Sequence, residues 1–325
     1  MDVRPTAPTT LRPLGVGELL DRAVTLTVRN FWALAALNVA FVALIEVIQY
    51  LGGDDRAHLV TAMTQVLQNQ AAGKSSSDVF KTLSDYQSAG SWTIVAFAVT
   101  FFFLPLPTAA MATAAGAFYF GRTLGFAGAY RAAVRVWLPS LLLIVTYGVA
   151  GACAYLGVIL VVVALALVIG LVSVASKALG IVLGVLLAVV FVPLALLGAV
   201  LVGLAYQVSF CTVVLEGANF WDGFLAGFRR VFRGVGLRRS LLVGLAYFAV
   251  FFGIFVVSAV GQGVLLGLVK SNVLGSIFAV VINVAAGAFA TVFLVLFYYD
   301  LRVREEGLDL QAAAFALPAD PSPAN

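Results

Sequence analysis

Long uncharged stretches alternate with short charged ones along this chain. Asp, Glu, Lys and Arg are absent from 86–121, 136–176, 178–215, 240–269 and 271–299. A shorter interval, 30–45, extends to Leu51 once Glu46 is admitted. About 20 apolar residues in a helix cross a hydrocarbon core of about 30 Å. The pattern therefore predicts six spans: 31–51, 92–119, 138–169, 179–210, 240–267 and 275–299. The runs are long and do not alternate, which excludes a strand barrel. A helix satisfies its own backbone polar groups inside lipid. The expected fold is an all-α integral membrane protein, with six transmembrane helices in three hairpins and cytoplasmic interfacial amphipathic helices. The third and fourth spans, at about 32 residues and roughly 48 Å each, must tilt, kink or project beyond the bilayer. Pro105, Pro107 and Pro193 are expected to break or kink the second and fourth.

Outside the spans the chain divides simply. Residues 1–13, with Pro5, Pro8 and Pro13, read as a flexible lead, 14–307 as the membrane domain, and 308–325 as a tail. The first 30 residues carry four arginines and no apolar core of the signal-peptide kind, so the first span is expected to be retained. The outer loop 52–91 has one helical face in Leu59, Val60, Met63, Val66 and Leu67. Ser75, Ser76 and Ser77 offer caps for a second short helix.

Composition agrees with this division. Hydrophobic residues make up 62% and charged residues 10% of the 325, against about 25% charged in soluble domains. A soluble protein, a disordered chain and a disulfide scaffold are all excluded. With an inside N-terminus, fourteen of the nineteen basic residues fall on the inside. All four lysines are outside and fourteen of fifteen arginines inside. The positive-inside rule then gives cytoplasmic N- and C-termini. The basic pI of 9.2 is explained by topology, and no nucleic-acid partner is expected.

Three inside segments share a layout, an Arg-bearing amphipathic stretch running into an aromatic residue: 17–32, 128–137 and 221–233. Such helices lie in the interface, with arginines toward headgroups. The chain parses into units 14–120, 121–210 and 211–307. Two readings stay open, a structural repeat or the common need of any inside loop for arginine and an aromatic anchor.

Few residues offer chemistry. Glu46 is either a proton or cation site or an interfacial carboxylate that reaches water or pairs with another helix. Gln207 and Asn283 act either as interhelical hydrogen-bond partners or as lining of a path. Gly180 with Gly184, and Gly263 with Gly267, permit close helix approach. The single histidine, His58, lies in the outer loop, and Cys153 and Cys211 lie at different depths. No catalytic, cofactor or metal residue is assigned. The densest polar sequence is on the inside. There Glu18, Asp21, Arg22, Glu216, Arg229, Arg230, Asp300, Arg302 and Arg304 are expected to form a charge network, since arginine forks match carboxylates; it either locks helix ends or serves as a ligand or headgroup site.

These residues also carry a family likeness. The stretches Leu11–Ala23, Leu215–Gly217 and Tyr299–Leu310 resemble the opening, middle and closing motifs of a broad group of bacterial membrane proteins. That group is similar to the membrane domain attached to some glycerophosphoryl diester phosphodiesterases. The likeness covers nearly the whole chain, and only these three stretches are specific. The phosphodiesterase reaction belongs to a separate soluble barrel with catalytic His, Glu and metal ligands, for which this chain has no room. The resemblance implies a bacterial membrane protein. Because the distinctive motifs lie on the cytoplasmic rim and the bundle is bland, the expected function is a non-enzymatic bacterial inner-membrane scaffold or accessory subunit for envelope or lipid-related machinery. The expected partners are the lipid bilayer, phospholipid headgroups and other membrane proteins. The alternative is a transporter or lipid-translocating protein.

Overall fold

The computed structural model describes residues 12–51, 91–265 and 272–307. The outer-loop helices read from the pattern, His58, Gly267, the lead up to Leu11 and the tail from 308 lie outside these residues. Every element among the described residues is an α-helix: α1 Val16–Arg29, α2 Phe31–Leu51, α3 Ser91–Phe103, α4 Pro105–Tyr119, α5 Phe126–Arg135, α6 Trp137–Ala175, α7 Lys177–Glu216, α8 Phe220–Phe232, α9 Gly234–Val264 and α10 Asn272–Glu306. Six stretches of these helices are long and apolar enough to cross a membrane.

Proline acts differently at its two sites. The second span is split at Leu104, and Pro105 opens α4. A proline in the first turn loses no intrahelical bond. By contrast α7 runs unbroken through Pro193, so no break occurs there. Prolines are tolerated inside membrane helices because local adjustment re-satisfies the freed backbone group.

The helix contacts form a cycle with three equivalent parts. The inner helices α4, α7 and α10 touch one another pairwise. Each outer helix lies against two of them: α2 against α10 and α4, α6 against α4 and α7, α9 against α7 and α10. Each short helix packs on the inner helix that precedes it, α5 on α4 and α8 on α7, and α1 closes the cycle on α10. Glycines in the left-handed region end all three inner helices: Gly121 (φ 68°), Gly217 (φ 69°) and Gly307 (φ 62°). Glycine adopts this conformation without Cβ strain.

The short helices repeat in detail. Each starts after an extended N-cap, at Gly15 (ψ 162°), Gly125 (ψ 157°) and Asn219 (ψ 169°). Each buries the fourth and eighth residues after that cap: Leu19 and Ala23, Ala129 and Ala133, Gly223 and Gly227. Residues one turn apart share a helix face, so the buried stripe is set by spacing. On α8 both of these positions are glycine. A Cβ at Gly227 would lie 2.5 Å from the Ser209 backbone nitrogen, and one at Gly223 would lie 2.4 Å from Val213 Cγ2. The flank of α8 next to this stripe carries the ring series Phe220, Phe224, Phe228 and Phe232.

The core lies where the inner helices meet the short ones. Phe210, Phe293, Phe297 and Tyr298 are among its largest fully buried side chains. Tyr119 stacks on Tyr299 at 5.5 Å, and Phe120 meets the same ring edge-on at 5.2 Å. The middle pair of long helices departs from the core. With 39 and 40 residues, α6 and α7 are roughly 60 Å long. Over 144–203 the only buried residue among those described is Gly180, whose Cβ position is 2.6 Å from Ser173 Cβ on α6. Leu171 and Val174 are 76% and 88% exposed, a surface suited to lipid.

Candidate functional site: a clamped charge cluster

The paired charges Asp300 and Arg230 gather where α7, α8 and α10 end and α9 begins. Asp300 lies in the last turns of α10, just past the apolar run that ends at Tyr299, and its side chain is fully buried. Its Oδ1 accepts the Leu14 N–H at 2.8 Å. Its Oδ2 accepts Arg239 Nε at 2.8 Å, and Arg304 Nε approaches both oxygens at 3.1 Å. The same two arginines donate through Nη2 to the Leu14 carbonyl, each at 2.7 Å. One residue of the entering chain thus has both backbone groups bound by charged partners, and its side chain is 2% exposed. Charge-assisted bonds of this kind are about twice as strong as neutral ones.

A second cluster centres on Arg230 of α8. Its Nη1 donates to Thr212 Oγ1 at 2.7 Å and pairs with Glu216 at 2.9 Å. Its Nε and Nη2 reach Glu306 Oε1 at 2.8 and 2.6 Å. Arg302 binds Glu306 at 2.8 Å and lies 3.6 Å from Glu216. The Tyr298 hydroxyl donates to Glu216, and its ring lies under both guanidiniums, 5.5 and 5.9 Å from their centres. Burial opposes the charge on Arg230, but Tyr298, Glu216 and Glu306 outweigh it and hold its pKa above the usual arginine value. A third, more exposed set joins Glu18 to Arg12 at 2.6 Å and Arg22 at 2.9 Å.

The structure thus brings together Glu216, Arg230 and Arg302 in one cluster, Asp300 and Arg304 in another, and Glu18 with Arg22 in the third. Asp21 and Arg229 are exposed and enter none of them. Sequence reasoning missed Arg239, Glu306, Thr212 and the Leu14 backbone. Arg239 had a signal, since an arginine entering a membrane helix needs a partner. Glu306 had one too, four residues after Arg302. The Leu14 contact had none, because Asp300 lies 286 positions away.

The intramembrane polar residues fall on three helices. Glu46 on α2 is buried, Gln207 on α7 is half-buried, and Asn283 on α10 is exposed. Asn38 is also buried, and its Nδ2 lies 2.9 Å from the Cβ position of Gly287. A groove at the α6–α7 turn, lined by Ile169, Ser173, Lys177 and Gly180, lies at the far end of α7 from the charge clusters. Both cysteines are free thiols.

No family model matches the chain, and neither a curated protein nor a solved structure does.

Proposed function

We propose that this chain is a non-enzymatic bacterial inner-membrane protein, a scaffold or accessory subunit for envelope or lipid-related machinery. In this reading the fold is three hairpins, each preceded by an amphipathic helix in the cytoplasmic headgroup region, with both termini inside. The observation that carries it is the use of the buried charges. Asp300 and Arg239 are spent on each other and on the Leu14 backbone, and Arg230 is spent on Glu216, Glu306 and Thr212. Groups bonded in this way hold helix ends in place. The likeness to the membrane domain of the phosphodiesterases supports a lipid-related setting.

Co-purification of the full chain from native membranes tests the reading. A membrane-protein partner recovered in fixed ratio supports it, and recovery of the chain alone overturns it. A translocating role is the second reading, favoured by the burial of Glu46 within α2. There Glu46→Gln should abolish substrate movement in vesicles.

A further inference from the structure

The three short-helix sectors are equivalent in backbone and packing, so their charges can be compared position by position. Windows from three residues before each N-cap to fourteen after it cover 12–29, 122–139 and 216–233. Each contains three arginines. The first adds Glu18 and Asp21, and the third adds Glu216 and Asp222, leaving a net charge of one in each. The middle window adds no carboxylate and keeps a net charge of three.

The missing acids can be placed. The third residue after the N-cap is Glu18 in α1 and Asp222 in α8, but Gly128 in α5. The residue before the left-handed glycine is Glu216 in α7 and Glu306 in α10, but Phe120 after α4. The arginines remain. Arg12-Pro13-Leu14-Gly15 has its counterpart in Arg122-Thr123-Leu124-Gly125. In the first sector the Arg12 guanidinium is 2.6 Å from Glu18. In the middle sector the position that corresponds to Glu18 is Gly128, which has no side chain and lies one helical turn before Arg131 and two before Arg135 on α5. All three arginines are exposed, and none makes an ion pair among the described residues. Beside them Phe126, Val134 and Leu138 are 58%, 64% and 57% exposed.

We propose that the middle sector binds the phosphate of an anionic phospholipid at Arg122, Arg131 and Arg135, in place of the carboxylates its sister sectors carry. Guanidinium forks suit phosphate oxygens, and the flanking apolar side chains suit acyl chains. This binding is independent of the scaffold role, since lipid can be held whether or not a protein partner is recruited.

The test uses full-length protein, delipidated in detergent and titrated with phosphatidylglycerol, phosphatidylcholine or inorganic phosphate, with bound lipid read by native mass spectrometry. Phosphatidylglycerol should bind and the other two should not compete with it. Joint Arg122→Gln, Arg131→Gln and Arg135→Gln should weaken binding at least about tenfold. Gly128→Glu, which restores the carboxylate of the first sector and keeps every arginine, should weaken it as well. That single change keeps the test decisive if the triple variant fails to fold. Joint Arg229→Gln and Arg233→Gln, in a sector with its own carboxylates, should leave binding unchanged. Equal losses in the two arginine variants, wild-type binding by Gly128→Glu, or displacement of the lipid by inorganic phosphate would each overturn the proposal.

Discussion

Asp300 is the residue on which most depends. Its buried carboxylate is matched by Arg239, Arg304 and the Leu14 N–H. Removing one partner of a buried pair leaves an uncompensated charge and costs about 3–5 kcal/mol. Asp300→Asn should therefore lower stability by about 3 kcal/mol, read as an earlier thermal transition in detergent. Asp21→Asn, on an exposed residue outside the clusters, should stay within about 0.5 kcal/mol. The pair also shows what sequence could resolve at this scale. That carboxylates and arginines at the inner rim would pair was legible from their crowding at a low-dielectric boundary. Which ones pair was not. Asp21 and Arg229 have the same composition signal as Glu18 and Arg230, yet Glu18 meets Arg12 and Arg22 in its own segment and Arg230 meets Glu216 and Glu306 on facing helices.

At the scale of the element, the short helices depend on how closely they seat. Gly227 of α8 is the tightest such point, because the atoms facing its Cβ position include the Ser209 backbone, which cannot swing aside as a side chain can. Gly227→Ala should destabilise by at least about 1–3 kcal/mol, the usual range for overpacking. Gly203→Ala on α7, where nothing lies within 4 Å, should be neutral or slightly stabilising by the same melt. The long helices were readable from charge-free runs alone, since lipid imposes composition residue by residue. Their ends were less so. α7 continues to Glu216 and α10 to Glu306, because those last turns are held by the charge clusters and not by lipid. The break at Pro105 followed from the missing N–H. The continuity through Pro193 depended on surroundings that a sequence does not display.

For the molecule as a whole, the three units could be suspected from arginine and aromatic spacing. Their cyclic contact order could not, since it requires knowing that α1 meets α10. The proposed orientation has a direct consequence. A cysteine placed at Lys177, at the exposed α6–α7 turn, should react with a membrane-impermeant maleimide added outside intact cells. One placed at Arg229 should react only after permeabilisation. The reverse pattern would invert the topology.

Closure of the cycle also sets an order of events during synthesis. The seat for Leu14 is built by Arg239, Asp300 and Arg304, so the start of the chain has no anchor until the end has been made. At about 5–20 residues per second, the 286 positions between Leu14 and Asp300 take on the order of half a minute to add. Through that interval α1 has no α10 to rest against, and the nascent protein has an open seam between its first and last units. A chain stopped before Asp300 should keep that seam open, and its N-terminal segment should be cut by protease at sites the finished protein shields. The α10 helix thus serves twice, as a span and as the clasp for Leu14.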